Sequence, residues 1–181
     1  MKLIIGLGNP GNAYKNNRHN AGFLCMDFLR QTFDFEPFAM DKKVSAEISS
    51  GMRNTEKILL AKPDTFMNDS GTSVNALRQF YKLSPSDIAI IHDDIDIALG
   101  TYKTTNSSRS AGHKGVQNII DKLGTQDFFR IRIGIGHSTE TAGNYLSAHD
   151  FVLQDFSDVE LEALSGLFPN VKEKILHWIS P

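Results

Sequence analysis

A single cysteine, Cys25, is the first limit that this 181-residue sequence sets. One thiol cannot build an intramolecular disulfide framework, and it leaves the redox state of the compartment open. Its position beside Leu24, Phe28, Leu29 and Thr32 at helical spacing predicts a small core residue rather than a nucleophile. Long apolar runs are missing too. No stretch approaches the roughly 18 residues of a membrane helix, and no charged leader precedes an apolar segment of signal-peptide length. These absences predict a cytoplasmic protein that does not engage a membrane. No serine occupies a Gly-x-Ser-x-Gly elbow, so a covalent nucleophile is not expected and water is the attacker to look for. Internal repeats, low-complexity tracts and interdomain linkers are also absent. The formal net charge is only −2, which by itself neither favours nor excludes nucleic acid.

What is present is enough for a substantial core. A hydrophobic fraction of 40% over this length predicts one domain spanning 1–181. The charge is unevenly placed. Lys103, Arg109, Lys114, Lys122, Arg130 and Arg132 face only Asp121 and Asp127 between residues 101 and 132, whereas acids dominate from 137 onward. One face is therefore expected to be basic enough to engage phosphates. Apolar or β-branched runs predict strands at 2–6, 44–49, 57–61, 88–92, 100–105 and 129–134, with a hairpin around Arg53 to Glu56. Helical spacing predicts helices at 21–33, 71–83, 115–123, 158–167 and 172–179, with Asn68, Asp69 and Ser70 as candidate caps for the second. Strands alternating with helices, plus one hairpin, predict a three-layer α/β/α domain around a mixed sheet. Irregular stretches at 8–20, 104–114 and 137–149 are long for a compact domain, and such loops tend to carry function.

The stretch from Ile4 to Gly22, IIGLGNPGNAYKNNRHNAG, supports two incompatible readings. Gly6, Gly8 and Gly11 follow an apolar strand with the Gly-x-Gly-x-x-Gly spacing of a dinucleotide-binding turn. That turn must open directly into a helix whose N–H groups hold the pyrophosphate. Here residues 12–20 are polar and asparagine-rich, helical periodicity begins only at Ala21, and no acidic residue falls at the tip of a second strand. The same polar loop carries Asn9 and His19. Histidine is the side chain best matched to proton transfer near neutral pH, so His19 is a candidate general base, with an exposed or capping histidine as the alternative.

His92, Asp93, Asp94 and Asp96 lie at the carboxyl end of a buried strand, where open α/β sheets build their sites. A carboxylate there can accept the second ring N–H of a histidine and fix its tautomer. A hard metal or simple backbone capping would also use these residues, but no His/Cys cluster or calcium-loop spacing accompanies them, and no metal is expected. Thr65, Phe66, Met67 and Asn68 precede a helix. Asn68 reads either as a cap or as an amide donor to a developing oxyanion, and Phe66 and Met67 as walls of an apolar subsite.

Taken in order, the segments KLIIGLGNPG, Tyr14, RHNAG, KPDTFMNDSG, HDDIDIALG, AGHKGVQNII and FRIRIGIGH, with a looser match at FVL, resemble the bacterial peptidyl-tRNA hydrolase family. The resemblance implies cleavage of the ester between a peptide, or another N-blocked aminoacyl group, and the 3′ end of tRNA. It implies a partner that is the tRNA acceptor end, no cofactor, and a monomeric protein. By similarity, His19 would activate water, Asp93 would orient it, and Asn9 would contact the ester end of the peptide. Asn68, Tyr14 and Phe66 would contact substrate, and Met67, His113, Lys114, Arg132 and Lys103 would complete the substrate and tRNA contacts. The chain departs from the family where Lys114 replaces the usual asparagine after His113, where TTNSSRS is poor in glycine with Thr105 in place of a lysine, and where the sequence stops at Pro181, which would trim a covering helix. A lysine cannot both donate and accept as an amide does, so a tRNA-binding relative with impaired chemistry is the alternative, and a dinucleotide-binding enzyme a more distant one.

Overall fold

The structure is a computed structural model and describes residues 1–53, 55–136 and 147–179. Its strands are β1 (Lys2–Gly6), β2 (Ala39–Asp41), β3 (Ala46–Arg53), β4 (Glu56–Pro63), β5 (Ile88–Ala98), β6 (Tyr102–Thr105) and β7 (Phe129–Gly136). They form one sheet in the order β2-β3-β4-β1-β5-β7-β6. The central strands β4, β1, β5 and β7 run parallel, while β2, β3 and β6 are antiparallel to their neighbours. The mixed sheet expected from the hairpin is thus present, with Arg53 opposite Glu56 at the β3–β4 turn. The continuous apolar runs of β1 and β5 suit the middle of a sheet covered on both faces: Leu3, Ile4, Ile5, Ile90 and Ile91 have no exposed surface.

Two hydrophobic layers flank this sheet. On one face, helices α1 (Ala21–Thr32) and α5 (Asp158–Ile179) pack Cys25, Met26, Leu29, Leu164, Val171 and Ile175 against Ile4, Ile91 and Ile131. On the other, α2 (Ser70–Phe80) and α3 (Lys114–Leu123) pack Val74, Leu77, Val116 and Ile119 against Leu3, Ile5 and Ile90. Each such side chain removed from water contributes roughly 1.5–3 kcal/mol. Cys25 is buried, and burial pushes its thiol up, as expected of a core residue. No described helix is long and apolar enough to cross a membrane.

The structure differs from the expected elements in several places. The two helices expected at 158–167 and 172–179 are one, running through Pro169. The proline sits on the exposed side while Leu164, Leu167, Phe168, Val171 and Ile175 keep the buried stripe continuous across it, so packing outweighs the lost backbone bond. The second helix stops at Phe80 rather than Leu83, because Lys82 turns to φ 54°. None of Asn68, Asp69 or Ser70 caps it with a side chain. The Gly71 N–H instead donates to Asn118 Oδ1 of α3 at 2.7 Å. Strand β5 continues past His92 to Ala98, with its register broken between Asp94 and Ala98. The short β2 and helix α4 (Ala148–Val152) have no counterpart among the expected elements. The irregular stretch expected at 137–149 lies, up to residue 146, outside the described residues.

The opening glycines serve packing. A Cβ on Gly6 would meet the Gly22 carbonyl oxygen at 2.4 Å, and one on Gly22 would meet Leu7 backbone and the Ile91 carbonyl oxygen at 2.5 Å. These two residues let the first turn of α1 lie directly on β1 and β5. Gly11 has φ 100° and opens a short 3-10 turn, not α1, so the phosphate-binding helix of a dinucleotide site is missing from this turn.

Candidate active site

Asp93 is the centre of the polar end of the sheet. The His19 ring reaches it from the 3-10 turn Arg18–Asn20 that leads into α1, with Nδ1 at 2.9 and 3.0 Å from the two carboxylate oxygens. His113 reaches it from the opposite face, as the N-cap of α3, with Nε2 at 3.0 Å from Oδ1. The tautomers follow from the remaining bonds. His113 Nδ1 accepts the Val116 backbone N–H at 3.2 Å, so its proton is on Nε2 and is donated to Asp93. Burial pushes the Asp93 carboxyl up, but the His19 and His113 rings that face it, and the hydrogen bonds they make to it, outweigh this and hold the group well below the usual carboxylate range. The ionised carboxylate therefore accepts the His19 Nδ1–H, and the His19 Nε2 lone pair has no partner among the described residues.

A third ring closes the cluster from below. His92 is buried edge-on against His113, with ring centroids 4.6 Å apart, and its Nδ1 lies 2.7 Å from the Asp93 carbonyl oxygen. Burial, then the nearness of His113, push its pKa well below the ordinary histidine value despite Asp93. His92 is thus a neutral donor to backbone, and its Nε2 has no partner among the described residues.

His19, Asp93, Asp94, His113 and Lys114 line a cavity of about 250 Å³, with Ile95, Ala148 and Val152 supplying apolar wall. Here the break in β5 register matters, because it leaves Ile95 39% exposed at the cavity edge. Asn9 lines a second hollow of about 340 Å³, which shares no lining residue with the first. It is held on every side but one: its N–H donates to Asn20 Oδ1 at 2.9 Å, its carbonyl accepts from Asn20 Nδ2 at 3.0 Å, and its Oδ1 accepts the Met67 N–H at 2.8 Å. That last bond orients the amide so that Nδ2 is the group left to donate outward. Asn68 and Lys114 share an open depression beyond the loop. Tyr14 and the 57% exposed Phe66 meet edge to face at 6.3 Å.

Some expected site residues are placed differently. Met67 is core rather than subsite wall: it is 4% exposed, packs in the α2–α3 layer, and sits under Gly115, whose added Cβ would lie 2.6 Å from its sulfur. The 3-10 turn of residues 67–69 points it inward and leaves Asn68 outside. Arg132 is not a free cation, since its Nε donates to Asp94 Oδ2 at 2.7 Å. Lys103 stands directly across the β6–β7 ladder from Arg132 and is exposed, as is Lys114. Arg130 belongs by sequence to the basic stretch, yet it is buried and donates to the Arg109 carbonyl at 3.1 Å and to Ser108, tying down the loop that leads to His113. That loop holds Ser107 and Ala111 at positive φ, conformations that are costly where the residue is not glycine.

The donor atoms of His19, Asp93 and His113 lie within 4.8 Å of one another, close enough to suggest a metal site. The donor chemistry argues otherwise. A metal on His113 Nε2 would drive the ring proton onto Nδ1, where the Val116 N–H already points, so the trio suits proton-mediated contacts better than ligation. The low pKa of Asp93 also links stability to pH. Its contribution is present in full above the unfolded value, about pH 4, and is lost as pH falls through the folded value. In urea unfolding, the stability gap between the wild type and Asp93→Asn should be full above about pH 5 and narrow below about pH 4. A gap unchanged down to about pH 2 would contradict the assignment.

The family model described as peptidyl-tRNA hydrolase matches residues 3–181. The chain is 41% identical over 180 residues to a peptidyl-tRNA hydrolase of Desulfitobacterium hafniense, covering 98% of this chain and 92% of that one. It is 40% identical over 175 residues to one from Mycoplasma capricolum, covering 97% and 91%. A crystal structure of peptidyl-tRNA hydrolase from Acinetobacter baumannii superposes with a TM-score of 0.88 at 30% identity, covering 99% of this chain and 88% of that one. From the match along the whole sequence and the shared fold, this chain belongs to the peptidyl-tRNA hydrolase family.

Proposed function

We propose that this protein hydrolyses the ester joining a peptide, or another N-blocked aminoacyl group, to the 3′ end of tRNA. The observation that carries the reading is the ionised Asp93 bonded to His19 Nδ1, which leaves Nε2 as a base on the cavity wall. His19 Nε2 takes a proton from water as the water oxygen bonds to the ester carbonyl carbon. The imidazolium so formed is paired with Asp93, and its proton passes to the departing 3′ oxygen as the ester bond breaks. Asn9 Nδ2 and the exposed Asn68 amide are the donors available to the acyl end, and Asn9 helps separate an N-blocked substrate from a free aminoacyl one. The Tyr14–Phe66 pair offers an aromatic surface to the terminal nucleotide or the attached residue. Lys114 and Lys103 are exposed cations that would meet tRNA phosphates.

The direct test is release of N-acetyl amino acid from N-acetyl-aminoacyl-tRNA by purified protein, beside aminoacyl-tRNA with a free amine. Cleavage of the first and survival of the second are expected. Tight tRNA binding without cleavage would instead establish a silent relative. If Lys114 contacts phosphate, Lys114→Asn should make the dependence of log kcat/KM on log salt shallower by about 0.7–0.9. Equal slopes in the two proteins would remove the lysine from the tRNA contact.

A further inference from the structure

Arg18, immediately before the base, is a buried cation that the chemistry above does not use. Its Nη1 donates to the Asp155 carbonyl at 2.7 Å, and its Nη2 to both oxygens of Glu160 at 2.8 Å. The guanidinium lies over the rings of Phe151, 4.7 Å away, and Phe156, 5.5 Å away. Glu160 is itself held, accepting the Ser157 N–H at 2.8 Å in the first turn of α5. Burial pushes its carboxyl up, but bonds from Ser157 and Arg18 outweigh this and lower it, so it is charged when it meets the arginine.

Main-chain bonds run alongside. The Arg18 N–H donates to the Gln154 carbonyl and the Phe156 N–H to the Asn16 carbonyl, both at 2.9 Å. Asn17 Nδ2 donates to the Leu153 carbonyl, and Asn17 pairs with Asp155 as an antiparallel bridge. The chain before His19 is therefore stitched to the α4–α5 connection, and α4 is the element that brings Ala148, His149 and Val152 to the cavity. On the other side of His19, Asn20 is fixed to Asn9. His19 hangs between two anchored neighbours, one of which depends on residues far along the sequence.

Resting on the function proposed above, we infer that Arg18 and Glu160 are positioning residues for the base: their ion pair sets the height of His19 over Asp93 and registers the α4 wall against it. A lysine at 18 keeps the charge but cannot reach the Asp155 carbonyl and both Glu160 oxygens together. A small displacement of a proton-transferring group is costly even when substrate binding is intact.

The test uses the full chain with Arg18→Lys, Glu160→Gln and the charge-preserving Glu160→Asp. At a temperature where circular dichroism shows each variant folded, kcat should fall about tenfold or more in Arg18→Lys and Glu160→Gln, with KM within about twofold of wild type. Glu160→Asp should recover part of the loss. In single-turnover assays on a His19→Ala background, Arg18→Lys should cost nothing further, because its effect passes through His19. An equal loss in that background would overturn the inference. Nitrogen-15 NMR of the histidine rings tests the clamp without activity. In Arg18→Lys the hydrogen-bonded Nδ1–H signal of His19 should weaken or vanish while the Nε2–H signal of His113 persists. Both signals unchanged from wild type would refute the clamp even if the wild-type protein cleaved no ester, and absence of wild-type cleavage would refute only the proposed function. Should Glu160→Gln fail to fold, the rates and ring signals of Arg18→Lys decide between these outcomes.

Discussion

Replacing His19 with alanine is expected to slow ester cleavage by about 10²–10⁴-fold, the range for loss of a positioned general base. KM should change little, because the groups proposed to meet tRNA, the Tyr14–Phe66 pair and the exposed Lys103 and Lys114, are all retained in the variant. Asp93→Asn should come close to the same loss for a different reason. The carboxylate offers acceptors to both His19 and His113, whereas an amide has one oxygen and one NH₂ group. If the amide oxygen goes to His113, whose tautomer is locked by Val116, the NH₂ faces His19 Nδ1. The His19 proton then moves to Nε2, and the lone pair that should take a proton from water is gone. The checking measurement is single-turnover hydrolysis of N-acetyl-aminoacyl-tRNA across pH. Undiminished turnover in His19→Ala would end the proposed mechanism. A wild-type rate in Asp93→Asn would show that the tautomer does not matter.

The second large effect is on stability. Gly22→Ala should destabilise the protein by about 3 kcal/mol or prevent folding, since the added carbon would meet Leu7 backbone and the Ile91 carbonyl at 2.5 Å. Backbone atoms of the central strand β5 and of the residue that follows β1 cannot swing aside as a side-chain tip would. For a chain of this size, that loss lowers Tm by roughly 6–12 °C. Scanning calorimetry of Gly22→Ala beside Gly166→Ala gives the comparison, because a Cβ at Gly166 meets nothing. Similar melting temperatures for the two variants would disprove the close-packing account of the opening glycines.

The contrast between these two glycines also separates what a sequence discloses from what only a fold does. Period, run length and turn residues disclose the central strands and the alternation of layers, because β1 and β5 are apolar on both faces. Elements whose existence depends on distant partners are not legible in this way. Strand β2 is short and mostly exposed, and is held by pairing with β3. Pro169 reads locally as a break, and only the stripe packed on α1 and the sheet keeps α5 whole.

The site divides the same way. His19 and Asp93 can be paired from sequence because each sits in a polar segment beside an apolar one, His19 ahead of α1 and Asp93 after the apolar run of β5. The second bond to Asp93, from His113, depends on a loop with two non-glycine residues at positive φ and on Arg130 holding that loop. The Arg132–Asp94 bond likewise joins adjacent strands that are far apart in sequence. Met67, an apolar residue beside Phe66, has the sequence pattern of a subsite wall, whereas the 3-10 turn sends neighbouring side chains in opposite directions.

In the proposed mechanism, the counter-charge that meets the His19 imidazolium is already ionised, already oriented, and already bonded to His113, a neutral donor pinned by the first turn of α3. Water around an exposed carboxylate would have to rotate to accommodate that new charge, whereas here the dipoles are in place before the proton moves. By closing a helix, this ring would lower the reorganisation energy of the proposed step that makes the nucleophile.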